Sequence, residues 1–180
     1  MFLRRLIKFM HTIGAIGLMG AMACLLVLLA YAPPPQQLAQ YASLRGAMGG
    51  IATWVLLPSL ALTLVAGLVS MAINPNYQNA GWALVKLATG ILVFEWGFAG
   101  MVGPMQEEAE RSAQALAGQG DVTALGQSLG AESGSLWVLI AIAALNVVLG
   151  VWRPRLTKLR ASRAAQAHAP AANVVRDQSL

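Results

Sequence analysis

Residues 9–31 read FMHTIGAIGLMGAMACLLVLLAY, a run of apolar and small side chains that contains no Asp, Glu, Lys or Arg. A helix needs about 20 apolar residues to cross the hydrocarbon core of a bilayer, which is roughly 30 Å thick. Residues 51–73, 82–105 and 136–152 form three further long and mostly apolar stretches. Because backbone groups in lipid must be hydrogen-bonded within their own segment, each stretch is predicted to be a helix. The sequence therefore predicts an all-α polytopic membrane protein, a bundle of four transmembrane helices.

The composition of the 180 residues agrees with this prediction. Hydrophobic residues make up 57% and charged residues 11%, whereas about 25% of residues are charged in soluble domains. This excludes an ordinary soluble enzyme, and the single cysteine, Cys24, excludes a disulfide scaffold. The net charge of +5 would suggest nucleic acid in a soluble protein, but here the basic residues flank apolar segments, so no nucleic-acid partner is predicted.

The distribution of the basic residues predicts the topology. Nine of the 12 Lys and Arg residues lie in residues 1–8 and 153–180, whereas loops 32–50 and 106–135 each contain one. Basic flanks remain on the cytoplasmic side, so both termini are predicted to be cytoplasmic. Residues 1–152 form the predicted membrane domain, and residues 153–180 form a basic, partly disordered tail.

Signal-peptide cleavage after Ala32 is the alternative for the first span. The apolar run is about twice as long as a signal core, which favours a retained helix.

Three ionisable side chains lie at membrane depth: His11, Lys86 and Glu95. Glu95 is near the middle of its span, where a carboxyl group could carry a proton, bind an ion, or hydrogen-bond to a neighbouring helix or subunit. Lys86 could extend its side chain to the headgroups. It lies nine residues from Glu95, which places the two on different faces of one helix.

His11 is a candidate haem or metal ligand, and a histidine bonded to a backbone carbonyl is the simpler alternative. The first and third spans run parallel, so His11 and Lys86 are expected at the same depth. His168 lies in the tail, so a second axial haem ligand would have to be a methionine, Lys86 or a residue of another subunit. Thioethers also suit Cu(I), and the methionines of the first and third spans are Met10, Met19, Met22, Met101 and Met105.

Small residues and prolines predict how the spans pack. Glycines recur at three-residue spacing in the first and third spans, and each stripe is predicted to receive a different neighbour. Pro58 predicts a bend in the second span. Residues 74–76 (NPN) predict a tight turn, and residues 106–116 predict a helix that breaks at Gly118.

Three motifs give the chain a resemblance to a known family. They are residues 6–11 (LIKFMH), residues 58–68 (PSLALTLVAGL) and residues 81–87 (GWALVKL). Their order and spacing resemble those of the four-span superfamily that includes HemJ-type protoporphyrinogen oxidases, CopD-like domains and related bacterial membrane proteins. The resemblance covers residues 6–96. It implies a bacterial inner membrane protein.

In HemJ-like proteins the matching histidine and lysine are linked to haem b, so the resemblance implies His11 and Lys86 as cofactor-binding residues. Residues 24–31 and Glu95 depart from the HemJ pattern, so the resemblance implies a haem-binding relative with a membrane redox role more than a porphyrin oxidase. Two alternatives stay open. One is a non-enzymatic accessory or assembly subunit, in a homo-oligomer or a larger complex, and the other is a proton or metal-ion conduit that uses Glu95.

Overall fold

The computed structural model describes residues 2–73 and 81–152. Four stretches of this part of the chain are helical, long and apolar enough to cross a membrane. Their bounds are Phe2–Ala30, Leu38–Ile73, Ala83–Leu116 and Val122–Trp152. The prediction of an all-α protein with four spans is therefore confirmed. The predicted turn at 74–76, the tail 153–180 and His168 lie outside the described residues.

Six α-helices build these four stretches. They are α1 (Phe2–Ala30), α2 (Leu38–Ile51), α3 (Leu57–Ile73), α4 (Gly81–Gly97), α5 (Gly103–Leu116) and α6 (Leu129–Trp152). We call the end of the bundle at Phe2, Ile73, Gly81 and Trp152 the amino-terminal end. The opposite end, which includes the two connections after α1 and α5, is the loop end.

Two helices are interrupted by π-helical turns that precede prolines. The turn Ala52–Leu56 joins α2 to α3 two residues before Pro58, and Phe98–Val102 joins α4 to α5 two residues before Pro104. Proline lacks the N–H group and its ring clashes with the carbonyl four residues earlier, so a wider turn relieves the clash. The two turns contact each other. The sequence predicted a disturbance at Pro58 but not the second one before Pro104.

The helices extend beyond the predicted spans at the loop end. Helix α5 continues to Leu116 and is followed by Gly118 at φ 77°, as predicted for residues 106–118. Helix α2 (Leu38–Ile51) goes beyond the prediction, which gives residues 32–50 only as a loop. Helices α2 and α5 pack against each other, so the loop end is an ordered helical layer.

The glycine stripes allow close contact with α3. A Cβ built on Gly14 would lie 2.5 Å from Thr63 Oγ1, and one built on Gly97 would lie 2.7 Å from Leu60 Cδ1. The two stripes therefore meet the same helix, and the prediction of different neighbours is wrong. Helix α4 contacts α3 and α6, and α1 contacts α3 and α6. The spans form a four-cornered bundle in which α1 and α4 lie diagonally opposite.

Candidate functional site

A cavity of about 510 Å³ lies between the spans, towards the amino-terminal end. All four spans line it, and most of its wall is apolar. Its volume falls within the range of roughly 300–1,000 Å³ that is typical of small-molecule sites. The polar side chains that line it are Lys8, His11, Thr12, Thr63, Ser70, Lys86 and Asn146. The lining includes cationic groups from α1 and α4 and no Asp or Glu.

His11 is oriented by a backbone group of α3. Its Nδ1 lies 2.9 Å from the carbonyl oxygen of Thr63. Since a carbonyl oxygen can only accept, Nδ1 donates the hydrogen. In a neutral imidazole this leaves the lone pair on Nε2, which is the tautomer that a metal-ligating histidine needs. The simpler alternative from the sequence, a carbonyl-bonded histidine, is thus observed, and it is compatible with a ligand role.

Glycines lie beside both His11 and Lys86, and the missing side chain beside Lys86 is the one that makes room. A Cβ built on Gly67 would lie 3.7 Å from the His11 ring, which is ordinary contact. A Cβ built on Gly150 would lie only 2.9 Å from Lys86 Nζ. The Lys86 ammonium therefore lies directly against the backbone of α6. This contact places a cation at the cavity wall. The other orientation considered from the sequence, with Lys86 extended towards the headgroups, is not the one observed.

A polar pair joins α4 to α6 beside the cavity. Thr89 Oγ1 donates to Asn146 Oδ1 at 2.8 Å, and Asn146 Nδ2 donates to the carbonyl of Ile142 at 3.2 Å. Asn146 lines the cavity. Because the oxygen and the nitrogen of its side-chain amide are both hydrogen-bonded, Asn146 stabilises the cavity wall.

The structure brings together two of the three predicted site residues. His11 and Lys86 line the same cavity, as their predicted common depth implied. Glu95 does not line it, and its side chain is exposed on the outer surface of α4. Lys86 and Glu95 thus face different surfaces, as their spacing predicted.

A second group of polar side chains is buried at the loop end. Arg45 Nη1 and Glu132 Oε2 form an ion pair at 2.6 Å, and the two side chains are 0% and 3% exposed. Tyr41 donates to Glu108 Oε1 at 2.5 Å and accepts from Arg45 Nε at 3.0 Å. Glu108 also accepts from the Gly126 amide at 2.7 Å. This network joins α2, α5, α6 and the connection before α6.

Sequence reasoning did not find this network. Tyr41 and Arg45 are one helical turn apart on α2, and Glu108 lies on the facing side of α5. The sequence contains a lone arginine in the predicted loop 32–50 and several acidic residues in the predicted loop 106–135. Only the packing of α2 against α5 identifies which acids approach Arg45. Among the described residues, Arg45 Nη2 has no hydrogen-bond partner.

The methionines divide between core and cavity. Met22, Met101 and Met105 are fully buried in one apolar core, Met10 is partly exposed, and Met19 lines the cavity. Within residues 2–73 and 81–152, no three His, Cys, Asp or Glu side chains form a group that could hold a metal ion. His11 is therefore the one histidine, cysteine or carboxylate among the described residues that line the cavity.

Comparison with known proteins adds no further assignment. No protein-family model, curated protein or solved structure matches this chain. The resemblance to the HemJ and CopD-like superfamily therefore stays a prediction that rests on the quoted motifs.

Proposed function

We propose that this chain is a membrane protein that binds haem b in the cavity at the amino-terminal end and serves a membrane redox role. The observation that carries the proposal is the His11 imidazole, which is held by the Thr63 carbonyl in the tautomer that leaves Nε2 available. An iron porphyrin would supply one-electron chemistry when bound. The protein would supply the His11 imidazole nitrogen for the iron, apolar walls for the ring, and lysine cations for the acidic groups of the porphyrin.

The residues present fit such a group. The cavity has mostly apolar walls, and Gly67, Gly90 and Gly150 line it where larger side chains would fill it. Lys86 contributes a positive charge from α4, and Lys8 contributes another from α1. An anionic, largely apolar ligand matches this combination, because its acid groups pair with ammonium groups and its apolar surface leaves water.

The absorption spectrum of the protein, purified in detergent from haem-replete cells, tests the proposal. We expect a Soret band that is lost in His11→Ala and retained in His168→Ala, a control at the other histidine of the sequence, which the sequence places in the basic tail. A colourless preparation of the folded wild-type protein, or an unchanged spectrum in His11→Ala, would contradict the proposal.

The location proposed for the protein is the bacterial inner membrane, with both termini in the cytoplasm. The support is the concentration of Lys and Arg in residues 1–8 and 153–180. A reporter domain that is active only in the cytoplasm should be active when it is fused to either terminus. A reporter that is active only outside the cytoplasm should be inactive at both termini. Opposite results at the two ends would contradict this topology.

A second function is favoured by one observation, the exposed position of Glu95. A carboxyl group on a surface that faces lipid indicates contact with another polypeptide, as in an accessory or assembly subunit. Co-purification of a defined complex that Glu95→Leu disrupts would support this function. A conduit through the cavity gains no such support, since Glu95 lies outside it.

A further inference from the structure

Within the described part of the chain, the cavity opens onto the side of the bundle between α1 and α6. Lys8 and Thr12 of α1 and Val147 of α6 line the cavity, yet all three side chains are also exposed. Val147 is 54% exposed although it lies about three helical turns after the fully buried Leu136, and therefore on the same inward face of α6. At the depth of Val147 this inward face is uncovered, so the cavity is open to the side.

Helical phase identifies the two helices that border this opening. On α1, Gly14 packs against α3, and Thr12 lies two residues before it, about 200° round the helix. On α6, Asn146 is hydrogen-bonded to α4, and Val147 lies one residue later, about 100° round the helix. Thr12 therefore faces away from α3 and Val147 faces away from α4, which places both at the gap between α1 and α6.

The opening lies at the depth of the hydrocarbon. Asn146, the neighbour of Val147, is bonded to Thr89, which is about 12 Å along α4 from its start at Gly81. Thr12 is about 15 Å along α1 from its start at Phe2. Both depths fall inside the predicted spans, so a molecule that reaches this opening comes from the lipid and not from the water.

The polarity of the cavity wall changes along the membrane normal. Lys86 Nζ lies against Gly150, two residues before the end of α6, and Lys8 lies closer to this end of the bundle than His11 does. The lining farthest from this end consists of buried apolar side chains, namely Leu18, Leu60 and Val93. An anionic amphiphile in a leaflet has the same order, with its acid group among the headgroups and its apolar part in the hydrocarbon.

From these observations we propose that the cavity takes up an anionic amphiphile sideways from the leaflet at the amino-terminal end, through the opening between Thr12 and Val147. The acid group passes from the headgroups to the ammonium groups of Lys8 and Lys86, and the apolar part never enters water. The ligand also keeps the orientation that it has in the leaflet. Haem is one such amphiphile, but the opening and the ligand class are inferred from the cavity itself and go beyond the proposed function.

Photolabelling in phosphatidylcholine vesicles that contain the full chain tests the ligand class. The probe is a long-chain alkyl sulfonate with a diazirine near the end of its chain, and the alcohol with the same chain is the uncharged control. We expect the sulfonate to label Leu60 and Val93, which line the cavity but are only 3% and 5% exposed. The alcohol should label them severalfold less. Equal labelling by both probes, or no labelling of these positions, would overturn the proposal.

Bulky side chains at the opening test the route. Val147→Trp and Thr12→Trp narrow the gap from opposite sides, so each should slow the appearance of label at the two buried positions severalfold after the probe is added. The matched controls are Val148→Trp and Ile13→Trp, because these neighbours are 42% and 47% exposed but do not line the cavity.

The controls should be labelled at the wild-type rate, and circular dichroism checks that all four variants keep their helical content. An unchanged rate in folded Val147→Trp and Thr12→Trp, or an equal slowing in the controls, would overturn the lateral route. The Soret band reports on haem separately. A colourless protein that is labelled as expected would refute haem binding alone, and a Soret band without such labelling would refute this proposal alone.

Discussion

Arg45 and Glu132, 87 residues apart in the sequence, form an ion pair at 2.6 Å that is almost completely buried. Glu132 also accepts from Ser128 at 2.6 Å, so both of its carboxylate oxygens are bonded. The pair connects the start of the second span to the start of the fourth. It orders the loop end, opposite the end where the cavity lies.

Loss of Arg45 should destabilise the protein strongly. Arg45→Met leaves Glu132 buried without its cation, and breaking a buried pair in this way costs about 3–5 kcal/mol. The double variant Arg45→Met/Glu132→Leu should be closer to the wild type than the single variant. Denaturant unfolding in detergent micelles measures these free energies.

An exposed ion pair on α5 provides the control. Arg111 and Glu107 lie 3.2 Å apart, but their side chains are 59% and 66% exposed. Arg111→Met should therefore change the free energy of unfolding by only about 0–1 kcal/mol. Similar losses in Arg45→Met and Arg111→Met would show that the buried network does not hold the loop end.

Enlarging Gly14 should separate α1 from α3. A Cβ at this position would lie 2.9 Å from the Thr63 backbone nitrogen as well as close to its hydroxyl. Overpacking of this kind typically destabilises by about 1–3 kcal/mol. Gly14→Ala should therefore lower the melting temperature, and it should weaken any Soret band because Thr63 also positions His11.

Gly20 on the same helix is the matched control for Gly14. Nothing lies within 4 Å of a Cβ built there. Gly20→Ala should leave the spectrum unchanged and raise stability by up to about 1 kcal/mol, because alanine favours a helix over glycine. A lower melting temperature in Gly20→Ala than in Gly14→Ala would refute the packing assignment.

A methyl group at Gly150 should displace the Lys86 ammonium. Gly150→Ala brings a carbon within 2.9 Å of Nζ, so Lys86 can no longer lie against α6. Losing a charge-assisted hydrogen bond costs about 1.5–3 kcal/mol, which predicts at least a tenfold weaker affinity for haem added to the apoprotein. The position of the Soret band should not change, since His11 is untouched.

Gly134 serves as the control on α6, because a Cβ there would meet nothing within 4 Å. Haem titrations of Gly150→Ala and Gly134→Ala give the comparison. Equal affinities would mean that Lys86 does not contribute to binding.

Labelling from outside the cell should reach the connection between α5 and α6. Gln119 is exposed beside Gly118 at the loop end, and Phe2 is 79% exposed at the amino-terminal end. In a Cys24→Ser background, an impermeant maleimide should modify Gln119→Cys in cells whose inner membrane is intact. Phe2→Cys should react only after that membrane is permeabilised, and the reverse order would invert the proposed topology.

How much of the structure the sequence predicts depends on how far apart in the chain the interacting groups lie. Features that are set within one helix could be predicted. Apolar length alone identified the four spans, because the requirement for internal backbone hydrogen bonding acts within each segment. Helical phase alone placed Lys86 and Glu95 on different faces. The common depth of His11 and Lys86 could be predicted because the first and third spans run in the same direction.

The remaining features depended on which helix meets which. Helix α2 was missed because its buried face includes Tyr41 and Arg45, whose polarity suggests a loop until Glu108 and Glu132 are brought to them. The partner of His11 is a backbone carbonyl, and the space for Lys86 is a missing side chain at Gly150. Neither has a signature in local sequence.

The sequence by itself determined that this protein crosses a membrane as four helices, since the free energy of a charge-poor segment in lipid is a property of that segment. Only the tertiary structure decided that His11 and Lys86 share a cavity, that Arg45 is neutralised by Glu132, and that Glu95 is left on the outer surface. These outcomes are set by the rotation of each helix about its own axis. Packing between helices fixes that rotation, because in lipid an apolar side chain is equally well placed on either side.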